Sequence, residues 1–181
     1  GLYAYTGDGG TSWTSSSSGL PGPLTSTFGG LAFGDSDKDG NIELFAAYEV
    51  WGSGAKNGVG AWEYSAGTWS SAVITSPYTT GTADNLVLMN ITGNSGLDLV
   101  IATGNSGIKY YEGSGSSPIS WTPYNTGLPN TGEYTALAVA DMNKDGRKDI
   151  LAGTYFGVGI RFYTQDASGT SWTARPGGGL P

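Results

Sequence analysis

The residues best placed to do chemistry are two runs of oxygen-bearing side chains, Asp35-Ser-Asp37-Lys-Asp39-Gly40-Asn41-Ile-Glu43 and Asp141-Met-Asn143-Lys-Asp145-Gly146-Arg147-Lys-Asp149. Both set oxygen ligands at positions 1, 3, 5 and 9. A hard cation gathers about six to eight oxygens at short distance. Alternate positions of a tight loop aim side chains inward, while position 7, here Asn41 or Arg147, offers its carbonyl. Glycine at position 6 permits the sharp turn. An EF-hand loop would carry Glu at position 12, but Ala46 and Ala152 stand there, so that motif is rejected. A third run, Asn90, Thr92, Asn94 and Asp98, keeps the spacing with a single carboxylate, and Ser95 replaces the glycine. Weak or absent cation binding is expected there.

The rest of the composition removes other chemistries. The chain has no cysteine and no histidine, which excludes Ser-His-Asp and Cys-His nucleophilic systems, disulfides and nearly all zinc sites. The net charge is -7, and seven of the acids fall in the two loops. Without them acids and bases balance, so the acidity is local and calls for cations; nucleic acid would want the opposite sign. No run approaches the ~18 apolar residues that cross a bilayer, and no signal-peptide core is present. Any export signal is expected to have been removed or to lie outside this sequence.

The elements that must hold these loops repeat along the chain. Trp13, Trp69, Trp121 and Trp172 sit in Ser-Trp-Thr or Thr-Trp-Ser at spacings of 56, 52 and 51 residues. A glycine-led aromatic strand precedes each: Gly1 to Tyr5, Gly58 to Tyr64, Gly107 to Tyr111 and Gly157 to Tyr163. Gly-Leu-Pro follows three of them, at 19–21, 127–129 and 179–181. Upstream lie two apolar strands flanking each loop: Leu31 to Asp35 with Ile42 to Tyr48, Leu86 to Asn90 with Leu97 to Thr103, and Leu137 to Asp141 with Ile150 to Thr154. With 32 glycines and few helix formers, the spacing predicts an all-β fold, a β-propeller of four-stranded antiparallel blades. Counting gives a half blade at 1–27 and blades at 28–77, 78–130 with the degenerate loop, and 131–181, about three and a half in all. Such an arc exposes apolar blade faces, so either a longer propeller chain or self-assembly is expected to cover them.

Strand, Asp-x-Asp/Asn-x-Asp-Gly-x-x-Asp/Glu, strand resembles the calcium loop of FG-GAP and VCBS repeats, as in integrin α-subunit propellers. The resemblance implies calcium in two loops, with Asp35, Asp37, Asp39, Asn41 and Glu43 in one and Asp141, Asn143, Asp145, Arg147 and Asp149 in the other. It further implies an extracellular or cell-surface module for adhesion or assembly, with a glycan or protein ligand. A site of about 10 micromolar affinity in ~1 mM calcium would stabilise the fold by roughly 2.7 kcal/mol.

A lectin is the alternative, with Trp13, Trp69, Trp121, Trp172 and the non-repeated Trp51 as stacking platforms. Against it, periodic aromatics pack blade on blade, and Trp51, in a loop longer than its counterparts, is the better functional candidate. A carboxylate-dependent glycosidase ranks last, because Asp8, Glu49, Glu63, Asp84, Glu112, Glu133 and Asp166 are scattered and no pair is set by spacing. The chain is expected not to be an enzyme.

Overall fold

The computed structural model describes residues 1–22, 26–50, 58–71, 74–156 and 159–176. Among them the chain is all-β. A two-stranded sheet, β1 (Tyr5–Gly7) and β2 (Trp13–Ser15), precedes three four-stranded antiparallel sheets. The first holds β3 (Ser26–Gly34), β4 (Ile42–Val50), β5 (Gly58–Ser65) and β6 (Thr68–Ser70). The second holds β7 (Ala83–Met89), β8 (Asp98–Thr103), β9 (Ile108–Gly113) and β10 (Trp121–Pro123). The third holds β11 (Tyr134–Ala140), β12 (Asp149–Thr154), β13 (Ile160–Gln165) and β14 (Trp172–Arg175). Strands pair in chain order, as in a meander. This is the blade plan the repeat spacing predicts. No described helix is long and apolar enough to cross a membrane.

The first strand of each sheet is longer than its apolar core suggests. β3 begins at Ser26 and carries a bulge between Phe28 and Leu31, and bulges recur at Ala83/Asn85 and Tyr134/Ala136. At the first of these, β3 and β7 approach so closely that a Cβ on Gly29 would fall 2.4 Å from the Asp84 carbonyl oxygen. Two glycines side by side are therefore what let neighbouring blades meet at their inner strands.

The core lies between the sheets. Phe45, Ala47, Val59 and Ala61 of the first four-stranded sheet pack with Leu86, Leu99 and Ile101 of the second. Val100, Ala102, Ile108 and Tyr110 of the second pack with Ile150, Ala152, Tyr163 and Trp172 of the third. Alternate residues of β4 and β8 thus face opposite neighbours, so both faces of these strands are apolar and neither survives a polar swap cheaply.

The two-stranded sheet repeats the outer half of a blade bond for bond. The Leu2 amide donates to the Pro21 carbonyl at 3.0 Å, as Val59 does to Tyr78 at 2.7 Å and Ile108 to Pro129 at 3.0 Å.

Candidate metal centres

Each loop joins the first strand of a sheet to the second, and its backbone is set by residues of left-handed conformation. Lys38 and Gly40 have φ of 60° and 92°, and Lys144 and Gly146 have 62° and 88°. Those turns fold the loop back on its own carboxylates. In the first loop the carboxylates of Asp35, Asp37, Asp39 and Glu43 converge, with one oxygen from each within 4.8 Å of the others. Among the described residues no other group of three or more acids is gathered so closely.

Glu43 anchors this loop from the start of β4. It is fully buried, and its Oε2 accepts from the Ser36 amide at 2.5 Å and the Ser36 hydroxyl at 2.6 Å. Its Oε1 has no partner, nor has the buried Oδ1 of Asp35. Burial raises the Glu43 carboxyl above the ordinary range; the Ser36 donors oppose this, and Asp37 and Asp35 push it further up. The buried, uncompensated oxygens of Asp35 and Glu43, set among four converging carboxylates, are costly unless a cation joins them. The donor set, all hard oxygens on alternate positions, fits calcium.

The third loop has the same skeleton with a different charge balance. The Asp149 Oδ2 accepts from the Met142 amide at 2.9 Å and the Asn143 amide at 3.3 Å, and its buried Oδ1 is unpartnered. Asp141 accepts from the amides of Asp145 and Gly146. Position 7 contributes more than a carbonyl here: the Arg147 guanidinium pairs with Asp145 at 2.7 Å. The Arg147 amide first, then Asn143 and that guanidinium, hold the Asp145 carboxyl below the usual range. In the first loop the corresponding Asn41 donates to Asp39 Oδ2 at 3.0 Å.

The second loop completes itself. Asp98 is fully buried, yet its Oδ2 accepts from Ile91, Thr92 and the Thr92 hydroxyl, and its Oδ1 accepts from the Gly113 amide at 3.1 Å. The side-chain amide of Asn90 donates to the Asn94 carbonyl, and Asn94 donates to Glu112 at 2.5 Å. Protein donors thus take up the carboxylate oxygens that the other two loops leave free.

The tryptophans do a separate job. Trp69 donates its indole N–H to the Ser16 carbonyl at 2.9 Å, Trp121 to Thr75 at 2.8 Å, and Trp172 to Tyr124 at 3.2 Å. Each outer strand is thereby clasped to the segment that follows the preceding outer strand. The Gly-Leu-Pro glycines fit this contact: a Cβ would fall 1.9 Å from the Trp69 carbonyl oxygen at Gly19 and 1.8 Å from that of Trp172 at Gly127. A ligand cannot stack on Trp172, which is 3% exposed and meets the Tyr110 ring edge-on. Trp69 and Trp121 are half-buried against Tyr64 and Phe45. Trp13 alone of the repeated set is open, at 72% exposure. Trp51 and the third Gly-Leu-Pro lie outside the described residues.

The sequence leaves Glu63 among the scattered acids, with no sign of its place beside the first loop. It stands opposite Glu43 in the pairing of β4 with β5 and is buried. Burial, then Asp39 and Asp37, raise its carboxyl. Only the cross-strand register brings it to the loop, and no linear spacing carries that information.

A family model for the FG-GAP-like repeat matches residues 90–152, from the second loop through the third. That stretch is similar to an FG-GAP-like repeat, and the four-stranded antiparallel sheets agree with a propeller-type repeat fold. No curated protein matches the chain.

Proposed function

We propose that this chain is an extracellular propeller module, stiffened by calcium in its first and third loops, that works in adhesion or surface assembly and not in catalysis. The observation that carries the reading is an unmatched face on the first four-stranded sheet. Leu31 and Phe33 of β3 are 54% and 74% exposed. Residues equally far before the other loops, Leu86 with Leu88 and Leu137 with Val139, pack into the core shared with the preceding sheet. A groove of about 460 Å³ runs from Leu31, Phe33 and Ile42 to Tyr3 and Tyr5. Among the described residues β1 pairs with β2 alone, whereas β5, β9 and β13 each also pair with an inner strand.

An apolar face beside a free strand edge suits a two-stranded β-element of a protein partner, which would pair with β1 and cover Leu31 and Phe33. Calcium at ~1 mM outside cells would fill loops of modest affinity. The acids of the first and third loops are accounted for as ligands, which supports binding over hydrolysis.

Sedimentation velocity in calcium tests the proposal. Self-association, or binding of a peptide comprising residues 134–154, is expected for the wild type and lost in Phe33→Asp. A wild type that stays monomeric and ignores the peptide removes the assembly reading.

A glycan ligand is favoured by one feature, the exposed rings of Tyr3, Tyr5 and Trp13, which offer stacking surface for sugars. Saturable binding on a glycan array that Trp13→Ala abolishes would establish it.

A further inference from the structure

We propose that Glu63 is a fifth carboxylate ligand at the first loop, supplied from β5, so that this loop holds its cation more tightly than the third. The inference rests on the reading of that loop as a calcium site. Glu43 and Glu63 are direct partners across β4 and β5, and side chains so paired share one face at neighbouring distance. Glu63 is 4% exposed, and its Oε2 has no hydrogen-bond partner. Its Oε1 accepts only a long bond, 3.4 Å, from the Asn41 amide, whose nitrogen also donates to Asp39 at 3.0 Å. Glu63 is thus linked through Asn41 to the cluster.

Among the described residues no basic side chain pairs with it, the ion pair there being Arg147 with Asp145. A buried carboxylate without a counter-charge is neutralised by a proton or by a cation. Three oxygens around this loop, on Asp35, Glu43 and Glu63, lack donors. A cation in their midst would satisfy all three.

The same position in the other sheets shows what the acid is doing. In the second sheet it is Glu112, which accepts from Asn94 and is only half-buried. In the third it is Thr164, which accepts from Arg175 at 3.0 Å. The first loop therefore gathers four carboxylates with Glu63 beside them across the strand pair, while the third carries Asp141, Asp145 and Asp149 with Arg147 paired to Asp145. Affinity in oxygen sites rises with ligand charge.

Calcium calorimetry on the full chain carrying Asp145→Ala, which isolates the first loop, provides the test. Adding Glu63→Gln is expected to weaken calcium binding about tenfold or more, and to raise the melting temperature in chelator by relieving repulsion. Glu63→Asp should restore part of the affinity. Unchanged affinity in Glu63→Gln, or a lowered melting temperature in calcium and chelator alike, would overturn the ligand role. If Asp145→Ala itself binds no calcium while folded, the calcium reading fails first.

Discussion

The first and second loops begin from the same spacing and end in opposite states. In both, a buried carboxylate at position 9 receives the amides or hydroxyl of the loop on one oxygen. In the second, the Gly113 amide reaches the other oxygen. In the first, the corresponding Glu43 oxygen has no donor. The proposed cation loop and the self-sufficient turn thus differ by what satisfies one atom. The second loop carries asparagines where the first has carboxylates, and its one buried carboxylate, Asp98, takes backbone amides and the Thr92 hydroxyl on both oxygens, donors that do inside the protein what an ion would do from outside.

Removing calcium should give the largest effect. With two filled sites, chelator is expected to lower the melting temperature on the order of 10 to 20 °C, measured by calorimetry at matched ionic strength. Equal melting with and without calcium would erase the distinction between the loops.

Next in size, Asp39→Ala and Asp145→Ala should each cost about 2.7 kcal/mol more in calcium than in chelator, as read from urea unfolding in both conditions. Asp98→Asn should behave otherwise. Its loss of about 2 kcal/mol comes from donors left unpaired, so it should appear equally in both. A calcium-dependent loss in Asp98→Asn would show that the second loop also holds an ion.

The smallest effect is on pH. Burial raises the Asp98 carboxyl, against the opposing donation of Ile91, Thr92 and Gly113. A folded value above the unfolded one contributes stability that is present below the ordinary carboxyl range and lost as pH rises through the folded value. In chelator the wild type should therefore lose stability as pH climbs from about 4, and Asp98→Asn should lose less. Melting temperature against pH for the two proteins decides it.

The loops and the four-strand repeat were legible in the sequence because both are local. Alternating oxygens with Asp-Gly mark a loop, and a tryptophan every fifty-odd residues marks a unit. The limits of single strands were less so: β13 runs Ile160–Gln165, past the Tyr163 where the aromatic pattern ends, because pairing with β14 carries it on. Glu63 and Gly113 were invisible for a further reason. Each acts on a loop from the third strand of its sheet, and only the register of pairing connects them. The tryptophans were legible as a period but ambiguous in role. Burial and the indole N–H bonds decide that for Trp69, Trp121 and Trp172, while Trp13 remains open to solvent.

The tryptophan clasps have a consequence for how the molecule comes apart. Each fastens a sheet to the one before it, so cohesion runs from neighbour to neighbour along the chain. Opening then resembles fraying of a row of tiles from an uncovered edge. The amides of β1 and β2, with one strand partner and exposed rings, should exchange with heavy water first, and those of β8, covered on both faces, last.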